Sequence, residues 1–468
     1  MDNLNVIRIK KGLDIGIPGT AEKVVTELPL ADEYAVKPTD WIGVAPRLLV
    51  AEGDSIIAGT PLFEDKNNEG VPFVSPVSGT VKAIVRGEKR ALLAVIIGTE
   101  SGERKTESAT HPALTGTPLQ EGKVSESDVR ETMIKSGLWN LLRQRPFGIV
   151  PRKDSHPKAV FISGFDSSPL PVDLDFALKG REEDFQQGIK ALATIAPVHL
   201  SLDGKSQSGS NLLFQHSNFN IHFFEGPHPA GLVGTQIAHI APINKGETVW
   251  TINAQDVATI GHLLHTGEYR PARVVAVCGP CVENPQYYRI IDGMKAETLL
   301  PFPKAARLRT ICGDVLSGTS ITANGYLCAS CDKVSVIKEG DYYDFMGWLR
   351  PNFRKFSFSR TFLSGFIKRR TENGERRTLN FTFDTGRHGS VRPLFVTGEF
   401  EKLVPLDIYP MQLIKACIVG DIELMENLGI YEVEPEDLAL CEFADTSKTE
   451  IQAIIRAGLE KIRKELGL

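Results

Sequence analysis

The sequence predicts a multidomain α/β protein, and three observations carry that expectation. The chain has 468 residues, enough at roughly 150 residues per domain for about three domains with cores of their own. Its grammar changes along its length, from short glycine-punctuated strands, to strands alternating with helices, to a terminal helix. Hydrophobic residues make up 42% and charged residues 24%, the balance of a folded globular chain and not of a disordered, collagen-like or coiled-coil one.

Val44 to Val85 carries the turns Glu52-Gly53-Asp54, Gly59-Thr60-Pro61 and Ser75-Pro76-Val77-Ser78-Gly79-Thr80. Such punctuation between β-branched residues predicts short strands in a small β sandwich or barrel. The pattern resembles the barrel-sandwich hybrid of lipoyl and biotinyl carrier domains, where a hairpin-tip lysine is modified. Lys66 occupies a similar place, but Asn67 to Pro72 lengthens the turn, so a swinging arm and a plain scaffold both stand as readings. Residues 102–127, rich in Ser, Thr, Gly and Pro, read as a linker.

After the linker the strands Ala159 to Ser163, Val198 to Leu202, Ile221 to Phe224 and Val249 to Ile252 alternate with helices. Phe185, Ile189 and Leu192 mark a helix starting near Arg181. Asn253 caps another, with Asp256 three residues later, and Val257, Ile260, Gly261 and Leu264 form its buried stripe. This alternation predicts a parallel sheet covered by helices, the class that binds ligands beyond the carboxyl ends of its strands. Strands return at Val274 to Cys278, Arg289 to Ile291 and Leu308 to Ile311, with turns at Gly293, Gly313 and Gly318. From Pro405 the chain is helical, with Ile451, Ile454, Ile455, Leu459, Ile462 and Leu466 on one face.

The charge balance, 53 basic against 58 acidic residues, gives −5 and argues against a surface that grips nucleic acid throughout. No window approaches the ~18 apolar residues of a spanning helix, and Met1 to Lys11 has no export signal. Seven cysteines, an odd number, read as reduced thiols of a cytosolic chain.

Neither a dinucleotide fingerprint nor a phosphate loop occurs in context. The nearest candidate, Gly226-Pro227-His228-Pro229-Ala230-Gly231-Leu232-Val233-Gly234, loses two amide donors to proline and reads as a structural turn before a ligand loop. His228 is its proton-exchanging side chain. Cys278-Gly279-Pro280-Cys281 and Cys328-Ala329-Ser330-Cys331 could supply four thiolates to zinc, could be redox pairs, or could be buried thiols; 46 residues separate them. His262 and His265, without a carboxylate in register, read as a solvated helix edge. Arg350 to Arg377 holds nine basic and two acidic residues, a local +7, interleaved with Phe353, Phe356, Phe358, Phe362 and Phe366. That composition suits single-stranded nucleic acid, an anionic membrane or an acidic protein partner, or else a solvated loop with core phenylalanines. No nucleic-acid-binding domain signature accompanies it.

Six motifs in order resemble the A-subunit family of the sodium-translocating NADH:quinone oxidoreductase (the Nqr complex): Ile9-Lys10-Lys11-Gly12-Leu13-Asp14-Ile15, the Ser75 to Thr80 turn, Gly180-Arg181-Glu182-Glu183-Asp184-Phe185, Gly226-Pro227-His228-Pro229-Ala230-Gly231, Val315-Leu316-Ser317-Gly318 and Glu436-Asp437-Leu438-Ala439-Leu440-Cys441. The resemblance covers essentially the whole chain. More distantly, the chain is similar to the C subunit of the Rnf complex and the flavin-binding subunit of respiratory complex I.

The resemblance implies these units: N-terminal strands and a barrel-sandwich hybrid over 1–105, a Rossmann-like α/β domain over 128–270, a β-grasp (soluble-ligand-binding) module over 271–335, a basic and aromatic β-rich segment over 336–404, and a helical domain over 405–468 without iron–sulfur ligands. It implies a peripheral subunit on the cytoplasmic face of the bacterial inner membrane, in a complex that oxidises NADH, reduces ubiquinone or menaquinone and exports sodium. Its partners would be the other members of the complex, chief among them the membrane-embedded B subunit, with no nucleic acid and no transmembrane segment of its own. NADH, flavins and iron–sulfur centres would belong to those partners, and this chain would bind no redox cofactor.

Where the cousins place a glycine-rich flavin loop, this chain reads Ser136-Gly137-Leu138-Trp139-Asn140-Leu141-Leu142-Arg143-Gln144-Arg145-Pro146-Phe147-Gly148. Bulky side chains there oppose the bare backbone that a phosphate needs. Cys417 and Cys441 stand alone where a cluster requires four closely spaced cysteines. The aromatic and apolar pocket expected from this segment would suit a quinone, held by Ser136, Gly137, Leu138, Trp139, Arg143, Arg145, Phe147 and His228; a collapsed cleft, with quinone reduced in the membrane-embedded partners, is the other reading. Arg360, Lys368, Arg369 and Arg370 are the candidate docking residues. A carrier protein modified at Lys66 and a zinc enzyme using Cys278, Cys281, Cys328 and Cys331 are the competing classes.

Overall fold

A computed structural model describes residues 6–99, 125–206, 219–300, 307–322, 324–342, 345–346, 355–356, 358, 383–386 and 393–467. One six-stranded sheet orders Val6–Arg8, Asn220–Glu225, Val198–Asp203, Val160–Ser163, Val249–Asn253 and Arg143–Arg145. The first five run parallel and the last is antiparallel to its neighbour. From Val160–Ser163 the chain winds to one side through two strands, then returns to place Val249–Asn253 on the other side. Between those two strands the order reverses, and a crevice opens at their carboxyl ends.

Helices Glu182–Ala193 and Ala254–Thr266 cover one face, burying Phe185, Ile189, Leu192, Val257 and Ile260 against Val160, Ile162 and Leu200. Helix Val233–Ile240 covers the other face with Ile237 against Phe161 and Val249. Between the paired helices Gly188 and Gly261 meet without side chains: a Cβ on Gly261 would stand 1.8 Å from the carbonyl oxygen of Asp184, and one on Gly188 would stand 2.1 Å from that of Val257. Asn253 caps its helix by accepting the amide of Gln255 at 2.8 Å. Asp256, expected to share in that cap, instead turns inward to Arg273. His262 is likewise 6% exposed and bonds Asp184 Oδ1 at 3.1 Å, so it is a core residue and not a solvated edge. Its partner comes from the facing helix, which a search along its own helix misses.

The stretch before the linker forms two small sheets face to face, Glu33–Val36, Leu92–Gly98, Gly79–Arg86 and Ser55–Ile56 against Pro46–Leu48, Pro61–Asp65 and Pro72–Val74. Phe63 stacks on Phe73, and Trp41 meets Phe73 edge-on, both at 4.7 Å. Two early strands leave this sandwich. Val6–Arg8 extends the parallel sheet, and Glu22–Glu27 edges a second six-stranded sheet with Gln286–Ile291, Ala272–Cys278, Lys333–Lys338, Leu308–Cys312 and Thr319–Ile321.

Most of the linker lies outside the described residues; its last positions already belong to a helix, with Ser125 capping Glu126–Lys135. Helices Pro410–Val419, Ile422–Asn427, Ala439–Ala444 and Ile451–Glu465 close the chain around Leu413, Ile414, Met425, Ile455 and Leu459. Leu466 lies beyond the last helix and is 49% exposed, so it drops out of the expected apolar face. Of the basic and aromatic segment, Phe356 packs on Phe443 at 5.0 Å and Phe358 joins the same core, which is the core-phenylalanine reading for those two.

Substituting Gly261→Ala gains about 1 kcal/mol in helix propensity, but its methyl has to displace the carbonyl of Asp184, and overpacking of that kind costs about 1–3 kcal/mol or more. A lower urea midpoint by far-ultraviolet circular dichroism is the expected outcome; an unchanged or higher midpoint contradicts the close crossing.

Candidate functional site

A cleft of about 640 Å³ opens where the strand order reverses, with Ser163 and Asn253 at the two strand ends. The edge strand Arg143–Arg145 supplies one wall. Side chains alternate along a strand, so Arg143 and Arg145 share the cleft face while Gln144 turns away. Turn Pro435–Leu438 and helix Ile451–Glu465 add Glu434, Glu436 and Arg456, and the second sheet adds Cys312, Asp332 and Lys333.

The two arginines differ in their pairing. Arg145, 4% exposed, donates from Nη1 to Asp437 Oδ2 at 2.8 Å and from Nη2 to Glu436. Arg143 donates from Nη1 to the carbonyls of Asn140 at 2.6 Å and Leu142 at 3.3 Å, and no carboxylate lies within ion-pair distance of it among the described residues. Burial lowers Arg143 to about 10, against the raising effect of Asp256 and Asp40 at longer range, so its guanidinium stays charged at the cleft and makes no direct ion pair among the described residues. Arg456 Nη2 grips Glu434 Oε2 at 2.7 Å while its Nη1 bonds the carbonyl of Phe147 at 2.8 Å. Burial pushes Glu434 up to about 7, against the lowering effect of Arg145 and Arg456.

On the far wall Lys333 is buried on Asp166 Oδ2 at 2.6 Å and on Ser168. Deeper, Arg273 faces Asp256, Asp292 and Asp332 together, and burial raises Asp292 to about 7.

The structure brings together only part of the expected quinone set. Arg143 and Arg145 line the cleft; Ser136, Gly137, Leu138, Trp139, Phe147 and His228 do not. Trp139 is fully buried, meets Trp250 edge-on at 5.3 Å and donates Nε1 to the carbonyl of Pro151 at 2.9 Å. Leu138 joins the same core, and Phe147 packs on Tyr431. Ser136 Oγ donates to the carbonyl of Met133 at 3.1 Å. Gly137 has φ +74°, and a Cβ there would meet Val74 of the sandwich at 2.8 Å, so its bare backbone serves packing and not a phosphate. The expected aromatic, apolar pocket is thus a charged one, because the aromatic side chains of this segment turn into the cores behind the cleft.

His228 is buried with its pKa lowered by desolvation, bonded to Ser167 Oγ at 3.1 Å; its amide is held by Asp14. The proline-rich loop around it is a structural turn, with Ala230 and Leu232 amides bonded to Pro227 and Pro229 carbonyls, and only its end, Gly231 to Val233, reaches the cleft.

The two CxxC pairs are set apart: Cys278 pairs with Ser335 inside strand Lys333–Lys338, four residues past Cys331, which lies before that strand begins. Among the described residues no three His, Cys, Asp or Glu side chains could hold a metal ion. Cys328 instead neighbours Cys312, which the spacing argument passed over: its amide donates to Cys312 Sγ at 3.3 Å. Cys312 and burial raise the Cys328 thiol; the Cys312 thiol, which Cys328 lowers, is raised well above its ordinary value by Cys331 and burial. Lys66 is exposed, but its turn is tied down by Asn68 Nδ2 on the carbonyl of Pro151 at 3.0 Å and by Lys153 on that of Glu69 at 2.9 Å. Arg360, Lys368, Arg369 and Arg370 lie outside the described residues.

Sequence reasoning missed Glu434 and Arg456 as cleft residues. Glu436 and Asp437 were in view only as part of a motif, and nothing local in the sequence joins them to an arginine almost three hundred positions away.

Fold and cleft together define a multidomain α/β protein with a charged pocket at the switch point of a parallel sheet. Family profiles match it over 7–100 (NqrA N-terminal barrel-sandwich hybrid domain), 124–269 (NqrA second alpha/beta domain) and 274–323 (NQRA C-terminal domain). Proteins named as the A subunit of Na(+)-translocating NADH-quinone reductase, from Haemophilus influenzae and Neisseria meningitidis, are each 38% identical over 465 residues, 98% of this chain and 100% of theirs. The protein of that name from Rhodopirellula baltica is 38% identical over 469 residues, 98% of this chain and 99% of its own. The chain belongs to the NqrA family, the A subunits of Na(+)-translocating NADH-quinone reductases.

Glu434 titrates near 4.3 in an unfolded chain and at about 7 when folded, so the folded state binds more protons between those values. Its contribution to stability is fully present below the lower value and is lost as pH rises through the upper one. Urea midpoints at pH 5 and pH 8 should therefore differ more in the wild type than in Glu434→Gln; equal differences contradict the assignment.

Proposed function

We propose that this chain is the peripheral A subunit of a bacterial sodium-exporting NADH:quinone reductase, seated on the cytoplasmic face of the inner membrane against the membrane-embedded B subunit. The observation that carries the reading is identity along essentially the full length of proteins of that name. No helix among the described residues is long and apolar enough to cross a membrane, which agrees with a peripheral position.

In this reading the parallel sheet is the Rossmann-like domain, the second sheet the β-grasp module and the C-terminal helices the remnant of a cluster-binding domain. The chain carries no redox cofactor. A flavin phosphate would need backbone that Trp139 and its packed neighbours deny it, and Cys417 and Cys441 lie in separate helices, too few for an iron–sulfur cluster. NADH, flavins and iron–sulfur centres belong to the partner chains of the complex. Quinone enters the cleft beside Arg143, whose guanidinium, free of a direct ion pair among the described residues, keeps N–H donors for a carbonyl oxygen beyond those bonded to Asn140 and Leu142.

Docking rests on the +7 segment, through Arg360, Lys368, Arg369 and Arg370. A tagged chain expressed in its host should co-purify with a complex that forms quinol from NADH in a sodium-dependent way. The triple reversal Lys368→Glu, Arg369→Glu and Arg370→Glu should release the chain from that complex. Absence of partners from the wild-type preparation refutes the proposed place in the complex, and retention of the triple variant refutes the docking residues.

A further inference from the structure

The cleft wall around turn Pro435–Leu438 carries more acids than bases. Two guanidinium groups, Arg145 and Arg456, face three carboxyl groups, Glu434, Glu436 and Asp437. Water reaches Glu436, so the desolvation penalty falls on the buried Glu434 and Asp437, and one proton taken up by the less compensated of the two relieves it.

The contacts single out which carboxyl group takes it. Asp437 Oδ2 already accepts Arg145 Nη1 and the amide of Glu434, both at 2.8 Å, and although its Oδ1 has no partner among the described residues, Asp437 does not line the cleft. Glu436 is gripped by Arg145 and is 39% exposed, so water reaches it. Glu434 is 5% exposed, its Oε2 is held by Arg456, and its Oε1 has no hydrogen-bond partner among the described residues although the side chain lines the cleft. A buried oxygen left without a partner beside a cavity is costly unless something in the cavity meets it.

We infer that Glu434 is the proton donor of the cleft, giving a hydrogen bond and then a proton to a carbonyl oxygen of bound quinone. The inference rests on the quinone reading above and adds to it the residue that does the chemistry. Reduction consumes two electrons, delivered by the redox partners of the complex, and two protons. As one quinone oxygen gains electron density, the O–H bond of Glu434 breaks and the quinol O–H bond forms, leaving a carboxylate that Arg456 already holds. The second proton is relayed by water in the cleft from bulk solvent, and proton exchange with bulk solvent reprotonates Glu434, so the net uptake is two protons from the bulk. Arg143, on the same wall, stabilises negative charge developing on the ring oxygens. Burial places the Glu434 carboxyl near 7, with Arg145 and Arg456 opposing and Glu436 reinforcing, so it exchanges its proton near neutral pH.

The test is equilibrium dialysis of ubiquinone-1 against the purified full chain between pH 6 and pH 8.5, for the wild type, Glu434→Gln and Glu434→Ala, with thermal melts confirming that each is folded. Wild-type affinity should fall about tenfold or more across that range as the carboxyl deprotonates. Glu434→Gln keeps a donor of similar shape that does not titrate and should bind with little pH dependence; Glu434→Ala should bind about tenfold more weakly than the wild type at pH 6. In the assembled complex Glu434→Gln should slow quinol formation while leaving quinone affinity at neutral pH within a few fold. Saturable wild-type binding with a flat pH profile, or a profile that Glu434→Gln leaves unchanged, overturns the proton-donor role and leaves the quinone reading standing. No saturable binding to the wild type at any pH overturns both.

Discussion

The ion pair between Arg145 and Asp437 is the constraint on which the cleft depends. It is buried on both sides and joins the edge strand of the parallel sheet to the turn that precedes the last helices. Three further pieces close around it. Gly234, in the first turn of helix Val233–Ile240, passes so near that a Cβ there would stand 2.1 Å from Asp437 Oδ1 and 2.5 Å from Arg145 Nη1. That helix start brings its positive end to a carboxylate, an orientation that favours the charge. Arg456 then reaches from helix Ile451–Glu465 to Glu434, one turn away, and to the backbone beside Phe147. Removing one partner of such a pair leaves an uncompensated buried charge, a cost of about 3–5 kcal/mol, so strand, helix and C-terminal turn keep one relative arrangement.

The same interaction explains why the cleft is charged where an aromatic pocket was expected. Segment 136–148 alternates between two environments because it is partly a strand and partly a tight turn. Trp139 and Leu138 fall on the side of Trp250 and the helices, where burial of an indole with its N–H satisfied by Pro151 is favourable. Arg143 and Arg145 fall on the other side. Composition pools the two, and what separates them is the change from the helical turn Leu138–Leu141 to the edge strand Arg143–Arg145.

The fold was largely legible in the sequence because its signals are local. Strand runs such as Val274 to Cys278, the stripe Phe185, Ile189 and Leu192, and the turn glycines of the sandwich each declare themselves within ten residues. The exceptions are pairings between distant segments. Nothing in Val6 to Arg8 says that it adds to a strand near residue 223, and nothing in Glu22 to Glu27 says that it borders Gln286–Ile291. The site was less legible for the same reason. Asp256 looked like a capping residue and His262 like a surface one, because the partners that claim them, Arg273 and Asp184, come from another strand and another helix. The cysteines misled in the opposite direction: the repeated spacing of two CxxC pairs is a strong local signal, yet the strand register sets them apart and gives Cys328 to Cys312.

The cleft stands open beside the tightly packed Leu138 and Trp139, and its openness has a physical cause. Protein interiors are close-packed, so a space of this size would close if side chains could fill it. Here the walls cannot approach. Among the described residues Arg143 makes no ion pair within bonding distance, Glu434 keeps a buried oxygen without a partner, and the opposite wall is fixed by Lys333 on Asp166 and by Arg273 on Asp256, Asp292 and Asp332. Closing the space would bury Arg143 and Glu434 further unless they met each other, and the edge strand holds Arg143 two residues away from Arg145, beside which Glu434 is fixed. The cleft is therefore lined, among the described residues, by an arginine that makes no direct ion pair and an acid with one unpartnered oxygen, held apart on walls that the Arg145–Asp437 pair fixes in place.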